Sequence, residues 1–199
     1  MYTRLLTFRR ATDIDGGVTY LRDEVLPVLN AQHGYRGVTA SADRAGALLG
    51  ILSLWESESD RAASDSALGK ARQEAVKVVG GDLTVENFEQ VAEEITKPPM
   101  AGCSLIVTRT SMDPASVDDN IAFFKNEVVG QIKAEPGFCA LRNMIDRQTG
   151  RGVVGTVWEN RGAMEAFAAK APERRAPAVS RGITFDDMSY RELLLAEMK

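Results

Sequence analysis

The sequence offers few side chains whose chemistry suits catalysis near neutral pH. His33 is the only histidine in the 199 residues, and its unperturbed pKa suits base catalysis. Arg9 and Arg109 end two segments rich in Leu, Ile, Val and Thr, and a guanidinium group there could stabilise an anionic or phenolate oxygen. These three residues predict a site that takes a proton from an acidic substrate and holds the anion. A structural alternative for His33 is a favourable interaction with the C-terminal end of the preceding helix.

Four large aromatic side chains could form the walls of a pocket for an aromatic substrate. Trp55 and Trp158 are the only tryptophans, and each ends an apolar run that is followed by Glu. Tyr35 and Phe138 each follow a glycine that ends a predicted helix. The alternative interpretation is that each indole fills the corner where a strand enters a helix, with its N–H bonded locally. The sequence leaves both interpretations open.

The motifs do not favour a metal or an organic cofactor. A single histidine excludes an ordinary multi-histidine metal site, and Cys103 and Cys139 lack metal-ligand spacing. Residues 150–155, GRGVVG, match the dinucleotide fingerprint G-x-G-x-x-G. That fingerprint needs a strand before it and a helix after it, whereas here a turn precedes and a strand follows. We therefore predict that the protein uses no metal and no cofactor.

The composition predicts a soluble globular protein of the cytoplasm. The chain is 44% apolar and 26% charged, with a net charge of −4, which argues against nucleic acid or an anionic membrane as a partner. The N-terminus lacks the apolar region of a signal peptide, and the longest apolar run, residues 45–55, is too short to cross a bilayer. Two cysteines make no disulfide framework, which favours a reducing compartment.

The elements that must position the candidate residues come from an internal repeat. Residues 21–56 align without a gap on residues 124–159 at an offset of 103, and eight of the 36 pairs are identical, where composition gives about two by chance. The segments LLTFRR and LIVTRT align at an offset of 100, which places Arg9 and Arg109 at matching positions.

We predict two homologous halves, residues 1–95 and 103–199, joined by the linker 96–102, whose Pro-Pro and Gly cannot continue a helix. Each half has the order β-α-β-β-α-β of a ferredoxin-like fold, with an antiparallel sheet and both helices on one face. The third strands are apolar on both faces, so the second face of each sheet also needs a cover. The predicted class is α+β, with two ferredoxin-like units whose sheets pack as a pseudo-dimeric α+β barrel. The oligomeric state stays open between a monomer and a homodimer.

Single residues predict where the helices begin and end. The first helix of each half ends at Gly34 or Gly137, where a positive φ costs glycine little. Ser57 and Asn160 are natural N-caps for the second helices. Pro27 should kink the first helix of the first half, because it lacks the amide proton that its turn needs.

Two stretches resemble one known family. GYRGV…D…LLGILSLWESESDRAAS in the first half and GFCAL…D…VVGTVWENRGAMEAF in the second are similar to the antibiotic-biosynthesis-monooxygenase family of dimeric α+β barrels, here as a tandem fusion. The resemblance implies a pocket in each half, between the sheet and the helices. It also implies a range of activities: some members oxidise quinols or polyketide anthrones with O₂ and no metal or organic cofactor, and others degrade haem.

The resemblance disfavours haem degradation. In that branch of the family, a histidine on the second helix holds the iron and an asparagine lies on the first strand. The corresponding helix positions here are Asp65 and Ala168, and neither first strand contains asparagine.

We expect a small-molecule-binding protein that acts as a cofactor-independent monooxygenase on a phenolic or quinol-like aromatic substrate with O₂. In this hypothesis the four aromatic residues shape the pockets, the two arginines stabilise the anion and His33 is the base. The alternative is a non-catalytic ligand-binding or assembly module that has lost enzymatic activity, because Pro136 and Cys139 replace His33 and Arg36 in the second half. An open cavity between helices and sheet would distinguish the two.

Overall fold

The computed structural model describes all of residues 1–199, which form eight strands and seven α-helices. Two π-helical segments, Leu21–Val25 and Phe124–Val128, and one 3₁₀ turn, Pro114–Ser116, accompany them. The elements in chain order are β1 (Tyr2–Arg9), α1 (Ile14–Tyr20), α2 (Leu26–Asn30), β2 (Tyr35–Asp43), β3 (Leu48–Trp55), α3 (Glu58–Val79), β4 (Asp82–Ile95), β5 (Ser104–Ser111), α4 (Val117–Phe123), α5 (Val129–Lys133), β6 (Phe138–Asp146), β7 (Arg151–Trp158), α6 (Arg161–Ala169), α7 (Ala171–Ser180) and β8 (Thr184–Met198).

The strands follow the hydrogen-bonded order β1-β3-β2-β8-β5-β7-β6-β4, which closes into a barrel. The pairs β1/β3 and β2/β3, like β5/β7 and β6/β7, are antiparallel. This arrangement confirms the predicted α+β class and its ferredoxin-like order. No helix of the chain combines the length and the apolar character that crossing a membrane requires.

The chain divides into two compact units whose limits differ from those of the sequence halves. Unit 1 contains residues 1–88 and 193–199, and unit 2 contains residues 89–192. The limits fall inside the two long strands β4 and β8. Within unit 2, the last part of β4 pairs with β6, and the first part of β8 pairs with β5. The boundaries at residues 95 and 103 therefore describe the sequence repeat rather than the compact units.

The strand register corrects one detail of the sequence alignment. The first residue of β1 lies opposite Trp55, and the first residue of β5 lies opposite Trp158. The two strands therefore correspond at an offset of 102, and the prediction that Arg9 and Arg109 occupy matching positions is wrong. The mistaken offset of 100 differs by two residues, which preserves the alternation of an apolar strand and is hard to detect from the sequence.

The predicted N-caps of the second helices are confirmed. The side chain of Ser57 accepts a hydrogen bond from a backbone amide in the first turn of α3, and Asn160 does the same for α6. The first helices end earlier than predicted: α2 and α5 stop four residues before Gly34 and Gly137, which lie in the turns before β2 and β6 and have φ angles of +68° and +77°. Both angles lie in the left-handed region that glycine occupies without steric cost.

The first long helical stretch of each unit widens into a π-helical turn. Pro27 lies at the start of α2, directly after the π-helical turn of unit 1. Unit 2 has the same turn at Phe124–Val128, although its helix contains no proline. A proline is therefore not needed for the π-helical turn that interrupts the α-helix. A π-helical turn inserts one extra residue per turn and often lies at a functional site.

The second helical stretch differs between the units. In unit 1 it is the continuous helix α3 of 22 residues. In unit 2 it is broken at Lys170 into α6 and α7, with a proline in the first turn of α7 and Pro177 inside that helix. The alanine content of this segment predicted one helix, but Pro172 in the first turn of α7 has no amide proton with which to continue α6.

The N-cap of α3 gives a direct test of the fold. We expect Ser57→Ala to lower the free energy of unfolding by about 1 kcal/mol, because a backbone amide of the first turn loses its acceptor. Ser66→Ala is the matched control, since it removes the same hydroxyl group from an exposed position inside the helix. Urea unfolding followed by circular dichroism measures both. Equal stability of the two variants would contradict the capping role.

Candidate functional site

Unit 2 contains a cavity of about 130 Å³ between its sheet and its helices. The first and last residues of the π-helical turn, Phe124 and Val128, lie on its wall, as do residues of β5, β6 and β7. The wall is largely apolar, and its aromatic and thioether side chains are Phe123, Phe124, Phe167, Phe185, Met112 and Met188. Its polar side chains are Thr108, Thr110, Thr156, Asn120, Asn143, Gln131, Arg174 and Arg175. Mostly apolar walls with a few polar groups are typical of a small-molecule site.

The corresponding space in unit 1 is smaller, with a cavity of about 50 Å³. The difference begins at one cross-strand pair. In unit 1 Phe8 lies opposite Leu49, and both side chains are completely buried. In unit 2 the same pair is Thr110 and Gly152. Two large side chains are thus replaced by a small one and by none, and the volume that they fill in unit 1 is open in unit 2.

The amide side chains give the cavity of unit 2 its hydrogen-bonding groups. Asn143 on β6 is 6% exposed and stands where unit 1 has Ala40. Asn120 on α4 is 3% exposed, and its amide oxygen accepts a hydrogen bond from Arg181 Nε at 3.3 Å. Its amide nitrogen donates to the hydroxyl of Ser116 at 3.2 Å. The orientation of Asn120 is therefore fixed from both sides.

Two arginines of α7 bring positive charge to the cavity, and they differ in their partners. Arg174 forms a salt bridge with Glu135 at 3.2 Å, and its guanidinium lies 3.6 Å from the centre of the Phe167 ring. Arg175 has no carboxylate partner. Its guanidinium lies 4.6 Å from the centre of the Phe185 ring, and Nη2 lies 2.9 Å from the sulfur of Met188.

Burial changes the electrostatics of both arginines. The pKa of Arg175 is lowered, because burial penalises the charged form. The pKa of Arg174 is lowered for the same reason, and Glu135 partly opposes the effect. A poorly hydrated guanidinium group gains more from an anionic ligand than an exposed one does. Both side chains belong to α7, the helix that begins directly after the break at Lys170.

Trp55 and Trp158 lie at the corners between strand and helix, as the structural interpretation describes. Both are completely buried. Each indole N–H donates at 3.0 Å to a hydroxyl two residues earlier, Ser53 in unit 1 and Thr156 in unit 2. Neither tryptophan lines a cavity. Trp158 contacts the cavity wall indirectly, because its ring centre lies 4.3 Å from that of Phe167.

Tyr35 and Phe138 pack edge-on against the tryptophans, at centroid distances of 5.6 Å and 5.8 Å. Both are buried and lie outside the walls of the two cavities. The Tyr35 hydroxyl is buried without a hydrogen-bond partner. Burial raises the pKa of this hydroxyl well above its usual range.

His33, Arg9 and Arg109 do not meet at a cavity. The His33 side chain is 91% exposed, and Nδ1 lies 2.7 Å from a carboxylate oxygen of Asp60. Arg9 is exposed at the end of β1. Arg109 lies between two threonines that face the cavity, so it points to the opposite face of the sheet. The structure therefore gathers none of the seven sequence-predicted site residues at the walls of the two cavities.

The residues that form the cavity carry a signal in the sequence. Thr110, Gly152 and Asn143 are positions at which the two halves differ, whereas the predicted site residues other than His33 were aligned with a similar residue in the other half. Identical residues in a repeat preserve the shared framework, and a site present in one unit appears as a difference. Arg175 was missed because the alignment ended before the second helix.

The chain does not bring together three or more His, Cys, Asp or Glu side chains that could hold a metal ion. Cys103 and Cys139 are free and buried. Burial raises the pKa of the Cys139 thiol to about 11, so this thiol carries little thiolate at neutral pH.

Comparison with known proteins identifies the fold. An uncharacterised protein of Mycobacterium tuberculosis is 27% identical over 202 aligned residues, which cover 100% of this chain and 90% of that protein. A Fusobacterium nucleatum protein named as a candidate monooxygenase superposes with a TM-score of 0.71 at 13% identity, over 100% of this chain and 94% of that one. An anthrone oxidase-like protein has a TM-score of 0.70 at 16% identity, over 99% and 92%.

The chain has the dimeric α+β barrel fold of the antibiotic-biosynthesis-monooxygenase-like proteins. No family model matches the chain. At these identities the likeness to solved structures concerns the monooxygenase-like fold, and a fold hosts many activities. The site must therefore be argued from its own residues.

The contact between His33 and Asp60 predicts a pH effect. The hydrogen bond to Asp60 holds the pKa of His33 above its model-compound value of 6.5. A raised folded-state pKa means that the contact stabilises the fold fully below about pH 6.5 and that this contribution is lost as the pH rises through the folded-state value. In NMR titrations, Asp60→Asn should return the pKa of His33 toward 6.5. An unchanged titration would contradict the assignment.

Proposed function

We propose that the cavity of unit 2 binds a small phenolic or quinol-like aromatic molecule, and that the protein oxidises this molecule with O₂ as a cofactor-independent monooxygenase. The observation that carries the proposal is Arg175, a partly buried cation at the wall of an apolar cavity with no carboxylate to neutralise it. An anionic oxygen on an aromatic ligand would neutralise the charge of Arg175.

The walls of the cavity support an aromatic ligand. Phe124, Phe167 and Phe185 come from three different elements and offer ring surfaces to a planar molecule. Asn143 offers a hydrogen-bond donor and an acceptor at a buried position. The apolar surface supplies affinity, and the polar groups orient the ligand.

Arg175 supports ionisation of the ligand. A guanidinium group in a poorly hydrated cavity favours the phenolate form, so it lowers the pKa of a bound phenol and the proton leaves to solvent. Arg174 is less available for this role, because Glu135 already pairs with it. His33 is not needed as a base under this proposal.

The chemistry balances without another redox partner. The bound anion gives one electron to O₂, and the resulting carbon radical and superoxide combine to form a C–O bond. After protonation, the O–O bond breaks and the same carbon loses its remaining hydrogen, so a ring CH₂ becomes C=O. One O₂ is consumed and one water is released. The cavity contributes the stabilised anion and limited access for water.

The repeated elements support a tandem fusion as the origin of the chain. The bounds of β2 and β6, and those of β3 and β7, differ by 103 residues throughout. We propose that the oxidation site lies in the cavity of unit 2. The smaller cavity of unit 1, which is lined by other side chains, does not share this role. A location in the cytoplasm, and a state that is either monomeric or homodimeric, remain part of the proposal.

Replacement of Arg175 tests the role of the cation. We expect Arg175→Met to lower kcat/KM for quinol or anthrone oxidation at neutral pH by about tenfold or more, equivalent to about 1.4 kcal/mol. The loss should shrink at high pH, where the substrate ionises without help. Oxygen consumption measured across pH checks both effects.

Arg161→Met is the matched control, because Arg161 is an exposed arginine of α6 that pairs with Glu165. Its activity should equal that of the unchanged protein. An equal loss in both variants would contradict the role of Arg175. Binding of the aromatic compounds without O₂ consumption would overturn the oxidation and support a ligand carrier instead.

A second test fills the cavity. Thr110→Phe introduces the residue that occupies the matching position in unit 1, so we expect it to abolish binding of 1-naphthol while the fold is kept. Thr110→Val is the control, because it keeps the size of the side chain and removes only the hydroxyl. Trp158 fluorescence in a Trp55→Phe background reports binding, since Trp158 contacts the wall residue Phe167. Retained binding in Thr110→Phe would place the ligand elsewhere.

A further inference from the structure

Unit 1 has a cluster of three arginines beside its smaller cavity, of which Arg4 and Arg61 are buried and Arg72 is partly buried. Arg4 on β1 is only 2% exposed, and it donates to the hydroxyl of Ser64 at 3.0 Å and to the carbonyl oxygen of Arg61 at 2.9 Å. Arg4 and Arg72 both contact the same oxygen of Asp65, each at 2.9 Å. The two guanidinium groups therefore converge, and both side chains line the cavity of about 50 Å³.

The cluster leaves hydrogen-bond donors unused. Arg4 Nε, Arg61 Nε and Arg72 Nη1 are buried and have no hydrogen-bond partner. A buried donor without a partner destabilises the protein, and the effect is larger when the group is charged. An acceptor that enters the cavity between Arg4 and Arg72 would remove part of this cost.

The charges of the cluster do not cancel. Three guanidinium groups face two carboxylates, Asp65 and Glu58, and the latter pairs with Arg61 at 3.5 Å. The pKa of Arg4 is lowered, first by burial, and Arg72 and Arg61 lower it further while Asp65 opposes them. Positive charge is therefore in excess beside the cavity, and water screens it least at Arg4, whose side chain is almost inaccessible.

We propose that the cavity of unit 1 binds a short-chain aliphatic carboxylate, whose carboxylate group lies between Arg4 and Arg72. The rest of the wall is mainly aliphatic and includes Leu6, Leu68 and Val79. A chain of a few carbon atoms suits both this surface and the small volume. Guanidinium groups bind carboxylates through paired charge-assisted hydrogen bonds.

The proposal concerns a ligand class and a unit different from those of the aromatic site. Unit 2 has Ile106 opposite Thr156, where unit 1 has Arg4 opposite Ser53. A buried arginine at this position of the first strand is therefore a property of unit 1. Failure of the aromatic site would leave this inference intact, and the converse also holds.

Isothermal titration with sodium butyrate tests the site in the full chain, with butyramide as the neutral analogue. We expect butyrate to bind with one site per chain and butyramide to bind about tenfold more weakly or not at all. Isotope-filtered NMR should show contacts between the butyrate methyl group and the methyl groups of Leu68 or Val79. Equal binding of the two compounds, or no saturable binding of butyrate, would overturn the proposal.

Variants of α3 locate the site. We expect Arg72→Met to weaken butyrate binding about tenfold or more and Arg72→Lys to restore part of it. Lys70→Met is the matched control, because it removes an exposed cation from the same helix and should leave binding unchanged. Circular dichroism verifies that each variant folds. Unchanged binding in a folded Arg72→Met variant, or binding of phosphate but not butyrate, would also overturn the proposal.

Discussion

The alternation of side chains along the strands is the constraint on which both cavities depend. Because successive residues of a strand face opposite sides of the sheet, only every second residue of β1 or β5 reaches the helices. In β5 these positions include Thr108 and Thr110, and the register with β7 places Gly152 beside Thr110. An added Cβ at Gly152 would lie 2.6 Å from the Thr110 hydroxyl. The open volume of a cavity can thus change through the side chains of one cross-strand pair, while the strands begin and end at the same positions.

The tryptophan corners keep the framework constant while the cavities differ. Each indole is buried, has its N–H bonded within its own strand and packs edge-on against the aromatic residue that begins the neighbouring strand. Large aromatic side chains in such contacts contribute substantially to packing. In both units the indole N–H finds its hydrogen-bond partner within its own strand. The corner therefore does not depend on the residues that face the helices, and those residues can vary.

The same helical position supplies a cation to each unit in a different environment. Arg72 and Arg175 are 103 residues apart, the spacing that also relates the N-caps Ser57 and Asn160. Arg72 shares a carboxylate with the buried Arg4, whereas Arg175 lies against aromatic and thioether groups. The first surrounding favours a small aliphatic anion, and the second favours an aromatic one.

The sequence by itself determined the order of the elements, the N-caps of the second helices and the repeat of sequence, because hydrophobic periodicity and capping are local properties of the chain. It could not determine the offset between β1 and β5, since a shift of two residues leaves the alternation unchanged. It predicted seven site residues from the chemistry of their side chains, but the type of a residue says nothing about which face of a strand it occupies after pairing. Only the tertiary structure decided that His33 lies at the surface and that Arg175 lies at a cavity. Arg175 reaches the cavity because α7 packs against Phe185 and Met188 of β8, and such contacts between separate parts of the chain cannot be derived from local sequence patterns.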